Sequence, residues 1–502
     1  MTDTDPKQRN SLVALAAVCV AIFLGAVDLT IVSAVLPRIL IDLNVSIDTD
    51  LGRAAWVVTG YLLAYTIGMA VAGRFSDLYG RRICYLVGLS VFLVGSAAVA
   101  LAPTLELVIA GRVVQALGAG GLVPVAMALT SDLLPAHQRA QALGVIAAVD
   151  TAGWMIGHLY GGALMRLFDD WRLLFWLNLP FGLIALGLTW WALRGVVTPG
   201  DVGRFDWRGA LLFSAALTAL NLGLGGGADL GTTDFYGERV GPPPYALPMV
   251  LIAIGLFVWF VWIERRSQDP LLDLTIFHQR QAQAASLLNL LIGFSLAIAL
   301  TNVPLFVNAR IGLQQATNPD ALRQGAWESG LLLSALTLSM AVMAWPGGRL
   351  AGRFGDHLPA LVGMLLATGG FALTNRWDAD VGALEMSFGL AVAGAGLGLG
   401  LAPAADRLIS MAGPNRHGTA AALAIVLRLI GMTLGVSAVT VWGVQRQDAL
   451  RRLGAENPIA QSDPINFLIG VVAQVVAEGF LFAAAACLIA TIAAWHLRTH
   501  TQ

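Results

Sequence analysis

The chain has 502 residues, of which 57% are hydrophobic and 12% charged, with a formal net charge of −1. A soluble domain carries about 25% charged residues, so this composition excludes a soluble globular protein and describes one that crosses a membrane many times. The near-neutral charge excludes a basic surface for nucleic acid, and Cys19, Cys84 and Cys487, far apart in apolar runs, exclude a disulfide framework or a zinc site.

Fourteen apolar runs follow one another, and with no water in a bilayer core each must be a helix. The first, near 11–37, is too long for a signal peptide. It holds Asp28 in the string Gly25-Ala-Val-Asp28-Leu-Thr30-Ile-Val-Ser-Ala-Val-Leu-Pro37. Roughly 20 apolar residues span a membrane. A carboxylate within such a span costs about 2.5–3.5 kcal/mol on insertion scales and marks an ion or proton pathway. The first run therefore points to a transporter. The second (54–73) and third (83–102) flank Gly73-Arg-Phe-Ser-Asp77-Leu-Tyr-Gly80-Arg81-Arg82. The fourth (105–130) contains Arg112. At 1.5 Å per residue, Asp28 and Arg112 lie roughly 24 Å and 20 Å above the same membrane face, so the two charges can pair. The fifth (140–165) carries Asp150 among Gly144, Gly153, Gly157, Gly161 and Gly162, with His158 near its outer end. The sixth covers 173–194.

The seventh and eighth runs, 208–225 and 246–264, form a pair between the polar, turn-forming segments 199–207 and 264–270. The ninth to twelfth lie near 283–309, 326–348, 358–374 and 385–408. After the tenth comes Gly348-Arg-Leu-Ala-Gly352-Arg-Phe-Gly355-Asp356-His357, a weak repeat of the Gly73–Arg82 string. The thirteenth (417–444) carries Arg428 at roughly the same depth as Asp150, about 16 Å. The fourteenth covers 477–496, with Glu478 read as solvated at its outer start. Residues 449–476 before it read as an amphipathic segment on the membrane surface or a plain connecting loop.

The repeat divides the chain into a six-helix half at 11–194, a linker with two extra helices at 195–282, and a second six-helix half at 283–498. Repeated halves are a transporter signature. With the N-terminus cytoplasmic, inside segments hold 17 of the Lys and Arg residues and outside segments 11, which places both termini in the cytoplasm. No clustered His/Asp metal set and no Ser/His/Asp arrangement stands at one depth, so the chain reads as a transporter and not an enzyme, with no metal or cofactor.

The Gly73–Arg82 string resembles the loop 2–3 signature of the major facilitator superfamily, and the chain as a whole is similar to the fourteen-helix proton-driven exporters of that superfamily. The resemblance implies an all-α membrane protein built of two six-helix halves plus two inserted linker helices. It implies a cytoplasmic latch of Gly73, Asp77, Gly80, Arg81 and Arg82, in which Asp77 caps the helix starting near Asn415–Gly418. Asp28 through Pro37 looks like the first-helix motif of the branch, and Arg112-Val-Val-Gln115-Ala-Leu-Gly118 like its fourth-helix motif. Helix 5 resembles the glycine-rich antiporter motif, which makes Gly153, Gly157, Gly161 and Gly162 hinge candidates. The usual Gly-Pro reads Gly157-His158, so the kink-forming proline is absent. Asp28, Asp150, Arg112 and Arg428 become the proton-coupling candidates, with Asp150 and Arg428 as a switchable pair between the halves.

Trp56 through Leu63, Asp170 through Pro180 and His417 through Met432 look most similar to mycobacterial triacylglyceride exporters within the branch. The resemblance implies proton-coupled export of a hydrophobic substrate, a lipid such as triacylglyceride, outward from the inner leaflet of a bacterial cell membrane. The alternative is a multidrug or cationic-dye/proton antiporter of the same branch. Partners on this reading are the lipid, protons, membrane lipids and an extracellular or periplasmic lipid carrier. The short outer link Thr374–Leu384 is a departure that bears on the carrier.

Overall fold

The computed structural model of the chain describes residues 6–45, 47–168, 170–194, 196, 203–224, 245–272, 274–315, 321–454 and 462–498. Every regular element among them is helical. In chain order these are α1 Pro6–Asp42, α2 Ile47–Tyr79, α3 Arg81–Leu101, α4 Leu105–Gly120, α5 Leu122–Leu133, α6 Ala136–Phe168, α7 Arg172–Ala192, α8 Trp207–Gly223, α9 Ala246–Glu264, α10 Arg280–Gln314, α11 Ala321–Phe354, α12 His357–Thr374, α13 Ala383–Met411, α14 His417–Gly454 and α15 Pro464–Trp495. Short 3₁₀ turns at Leu274–His278 and Pro414–Arg416 precede α10 and α14. Thirteen spans among the described residues are long and apolar enough to cross a membrane, α4 and α5 counting as one. The 17-residue α8 is slightly shorter. It pairs with α9 through Phe213 and Phe260, whose ring centroids are 5.2 Å apart.

Two boundaries differ from the apolar runs. The fourth run is two helices, broken at Gly121. Residues 449–454 continue α14, and α15 begins at Pro464, capped by Asp463, whose side chain accepts from the Asn466 N–H. Residues 449–454 and 464–476 are therefore helix continuous with α14 and α15, and 455–461, where the rest of the expected segment falls, lie outside the described residues. Hydropathy marks where lipid ends, whereas a helix can run on into water with polar residues. For the same reason Glu478 sits inside α15 rather than at its start. It is ion-paired with Arg446 of α14 at 2.7 Å and is not simply solvated.

The chain forms two compact units, Met1–Gln283 with Ala405–Val426, and Ala284–Ala404 with Leu427–Gln502. In the first, α1 and α6 pack at close range. A Cβ on Gly153 would fall 2.5 Å from the Ala26 Cβ and 3.1 Å from the Phe23 carbonyl oxygen. Thr30 Oγ1 donates to the Trp154 carbonyl at 3.0 Å. In the second unit α10 and α14 make the equivalent approach, with Gly435 against the Phe294 backbone. The repeated motif also has a backbone counterpart. Gly80, between α2 and α3, and Gly355, between α11 and α12, are the two glycines with positive φ among the described residues, at 91° and 80°. Any side chain there would meet the left-handed penalty of about 1–2 kcal/mol.

At one end of the first unit, Ile31, Val35, Val57, Val99, Val108, Trp171 and Phe175 form a buried apolar cluster. This core joins α1, α2, α3, α4 and α7, and it holds the polar site described next.

Candidate functional site

Asp28 and Arg112 meet. Asp28 projects from α1 and Arg112 from α4, each about 1% exposed. Arg112 Nη1 donates to Asp28 Oδ2 at 2.6 Å. Gln115, one turn further along α4, accepts from the same Nη1 at 2.9 Å and donates through Nε2 to Asp28 Oδ1 at 2.8 Å. A helix brings residues three apart onto one face, so α4 contributes both groups together. From α7, Asn178 Nδ2 donates to Asp28 Oδ1 at 2.8 Å and to Ser96 Oγ of α3 at 3.1 Å. Ser96 Oγ in turn donates to the Phe175 carbonyl at 3.0 Å. The guanidinium lies over the ring of Tyr61 of α2, 3.7 Å from its centroid, an arrangement that favours a cation on an aromatic face. The charges are thus neutralised in an apolar setting and shut away from solvent. A buried pair of this kind contributes little net stability compared with apolar packing.

A second polar centre lies where α2 turns into α3, against the start of α14, all within the first unit. Asp77, fully buried, accepts from the Gly418 N–H at 2.9 Å, the Thr419 N–H at 2.8 Å and Thr419 Oγ1 at 2.6 Å. It also pairs with Arg81 on the next turn. This is an anionic cap on a helix N-terminus, where free N–H groups and the helix dipole both favour negative charge. Gly73 makes the contact geometrically open, since a Cβ there would lie 2.6 Å from the Ala422 Cβ and 2.7 Å from the Gly418 carbonyl oxygen. Arg81 also donates to Ser76 Oγ at 2.8 Å and, through Nε, to Asp132 Oδ2 of α5 at 3.0 Å. The other Asp132 oxygen is 2.7 Å from His417 Nδ1. Beside these, Arg139 of α6 pairs with Asp406 of α13. Arg82 is half-buried, and among the described residues it makes no hydrogen bond or ion pair with these groups.

The remaining candidates are placed as follows. Asp150 is half-buried on α6, in the first unit, and Arg428 half-buried on α14, in the second. Arg428 Nη2 donates to Asn289 Oδ1 of α10 at 3.3 Å, and Asn289 donates to the Ala404 carbonyl at 3.1 Å. Gly153 and Gly157 lie at the contact with α1. His158, Gly161 and Gly162 fall in a stretch of α6 whose side-chain surroundings lie outside the described residues.

Sequence reasoning assigned no role to Gln115, Asn178, Ser96 or Tyr61 beside Asp28, nor to Asp132, His417, Arg139, Asp406 and Thr419 at the helix junction. One signal was available for two of these. Asp132 and Asp406 close corresponding helices of the two repeats, α5 and the end of α13.

The model of the Major Facilitator Superfamily matches residues 18–436. A triacylglyceride transporter of Mycolicibacterium hassiacum is 33% identical over 454 residues, covering 88% of this chain and 81% of that protein. A triacylglyceride transporter of Mycobacterium tuberculosis is 32% identical over 448 residues, covering 86% and 83%. Among solved structures, the human organic anion transporter MFSD10 is similar with a TM-score of 0.62 at 16% identity, over 98% of this chain and all of that one. The proton:xylose symporter XylE is similar with a TM-score of 0.54 at 15% identity, over 95% of each chain. At these identities the two structures bear on the fold alone.

Proposed function

The chain belongs to the Major Facilitator Superfamily, and from that premise we infer that it exports a triacylglyceride-type lipid in exchange for protons. It is a multi-pass membrane transporter and not an enzyme. On this reading it alternates between inward and outward access in a bacterial cell membrane, with both termini in the cytoplasm, and moves its substrate from the inner leaflet outward. Proton coupling is carried by one observation. Asp28 is a sealed carboxylate in a membrane-crossing helix, held by Arg112 at 2.6 Å, and an intramembrane acid of this kind is costly to keep without a use. The lipid is supported by relatives that are named triacylglyceride transporters and match over most of their length.

A cationic-dye antiporter usually has several acids to meet a cation, and beside Asp28, already engaged by three donors, this chain offers mainly Asp150. Liposomes containing the purified protein, loaded either with fluorescent triacylglyceride or with ethidium, test the reading. Lipid movement that rises with an imposed pH gradient, without ethidium movement, is the expected result. Ethidium transport alone would reverse the assignment, and lipid movement indifferent to the gradient would remove the coupling.

Asp150 and Arg428 are taken as a second coupling element that pairs in part of the cycle. Neutralising either one, as Asp150→Asn or Arg428→Gln, is then expected to destabilise the protein more than neutralising both, because a single change strands a charge in a poorly solvated place. Coupling between paired residues amounts to about 0.5–3 kcal/mol. Thermal unfolding of the two single mutants and the double mutant in detergent measures it. Strict additivity would show that the two residues act separately.

A further inference from the structure

We infer that Asn178 sets how tightly Asp28 holds a proton, acting as a positioning residue for coupling; this rests on the proton-coupled reading above.

The direction of its hydrogen bonds is fixed by its neighbours. Ser96 uses its hydroxyl hydrogen on the Phe175 carbonyl at 3.0 Å, so its oxygen faces Asn178 as an acceptor. The Asn178 amide must therefore present its NH₂ group to both Ser96 and Asp28. A flipped amide would set its carbonyl oxygen against the Asp28 carboxylate. Asn178 is 7% exposed, so water does not offer it another arrangement.

Asp28 consequently faces donors only, from Arg112, Gln115 and Asn178. Hydrogen bonds to the charged form of an acid favour that form. The three donors come from two helices. Arg112 and Gln115 both sit on α4, so a shift of α4 against α1 removes both at once. Asn178 sits on α7 and is tied to α3 through Ser96, so it does not leave with them. Its bond to Asp28 therefore does not depend on the position of α4. The titratable groups facing the site are Arg112 of α4 and Tyr61 of α2, with Asp150 of α6 facing Tyr65 further along α2.

The test is a pH titration of the reconstituted full-length protein by difference infrared spectroscopy. It follows the carboxylic-acid band that Asp28→Asn removes. Asn178→Leu, close in volume but without a donor, is expected to move the midpoint of that band upward by about one pH unit, the size of one hydrogen bond to a charged group. Asn178→Asp keeps the shape and replaces the donor by a second acid. It is expected to move the midpoint upward at least as far, and it carries the test if the leucine variant does not fold. Ser96→Ala removes the acceptor that orients the amide but leaves the Asn178 donor in place. It should move the midpoint in the same direction by less than either Asn178 variant. An unmoved midpoint in both Asn178 variants overturns the inference, as does an equal shift in Ser96→Ala, which would mark a packing effect. If the wild type has no band sensitive to Asp28→Asn and its transport ignores the pH gradient, the coupling reading itself fails instead.

Discussion

Asp28→Asn is expected to reduce gradient-driven transport to the level of protein-free liposomes while the protein still folds and inserts. The substitution is nearly isosteric and keeps one oxygen to accept from Arg112, but it removes the only carboxylate tied to that arginine among the described residues. The energetic consequence is separate from the functional one. Arg112 is left as a buried cation with 1% exposure, and breaking a buried ion pair costs roughly 3–5 kcal/mol. Its stacking on Tyr61 offsets part of this. The single mutant should therefore unfold at a clearly lower temperature. Adding Arg112→Gln should restore much of that loss without restoring transport, because no titrating group returns. Transport and thermal unfolding are measured on the same preparations. Gradient-driven transport at wild-type rates by Asp28→Asn would move coupling elsewhere, to Asp150 first.

Asp77→Asn should open the α2–α3 junction against the start of α14. The pull of a helix N-terminus on an anion is about 0.3–1 kcal/mol, and up to about 2 when partly buried. The geometry adds to that figure. Asp77 is fully buried and accepts from two backbone N–H groups, from the Thr419 hydroxyl and from Arg81. A hydrogen bond to a charged group contributes about 1.5–3 kcal/mol. Arg81 keeps Asp132 as a second partner, which limits the loss. A net change of about 3 kcal/mol is reasonable, on the order of 100-fold in the ratio of closed to open molecules. Single cysteines placed on the two faces read this as a change in labelling rates, with Thr419→Ala moving them less in the same direction. Unchanged labelling in Asp77→Asn would show that the contact does not hold this end shut.

What could be read in the sequence follows from which residues are physically out of place. Asp28 and Arg112 stand out because charge in an apolar run is costly wherever the run folds, and their depths alone made a meeting plausible. The Gly73–Arg82 string stands out because its Gly, Asp, Gly and Arg spacing resembles the loop 2–3 signature, whereas the left-handed backbone at Gly80 is visible only in the structure. Asn178 does not stand out. A neutral amide in a helix is unremarkable until the rotation of α7 is known, and that rotation depends on packing against α1 and α3. Asp132, Arg139, Asp406 and His417 were hidden for the opposite reason. Charges at helix ends are ordinary in water, and nothing local says that they are covered. The full length of α14 escaped as well, because its last turns carry Arg446, Arg451 and Arg452 and fail any test of apolarity while remaining helical.

The ties at the helix junction run in both directions. Asp132, from the first half of the chain, takes His417 from the second, and Arg139, from the first, takes Asp406 from the second. With the Asp77 cap on Gly418 and Thr419 they make three ties between the first and second halves of the chain at this junction. A thermal fluctuation that frees one of them leaves the others fastened. For an alternating-access transporter as proposed above, opening this end is then expected to be a concerted event in which all the ties let go in the same step.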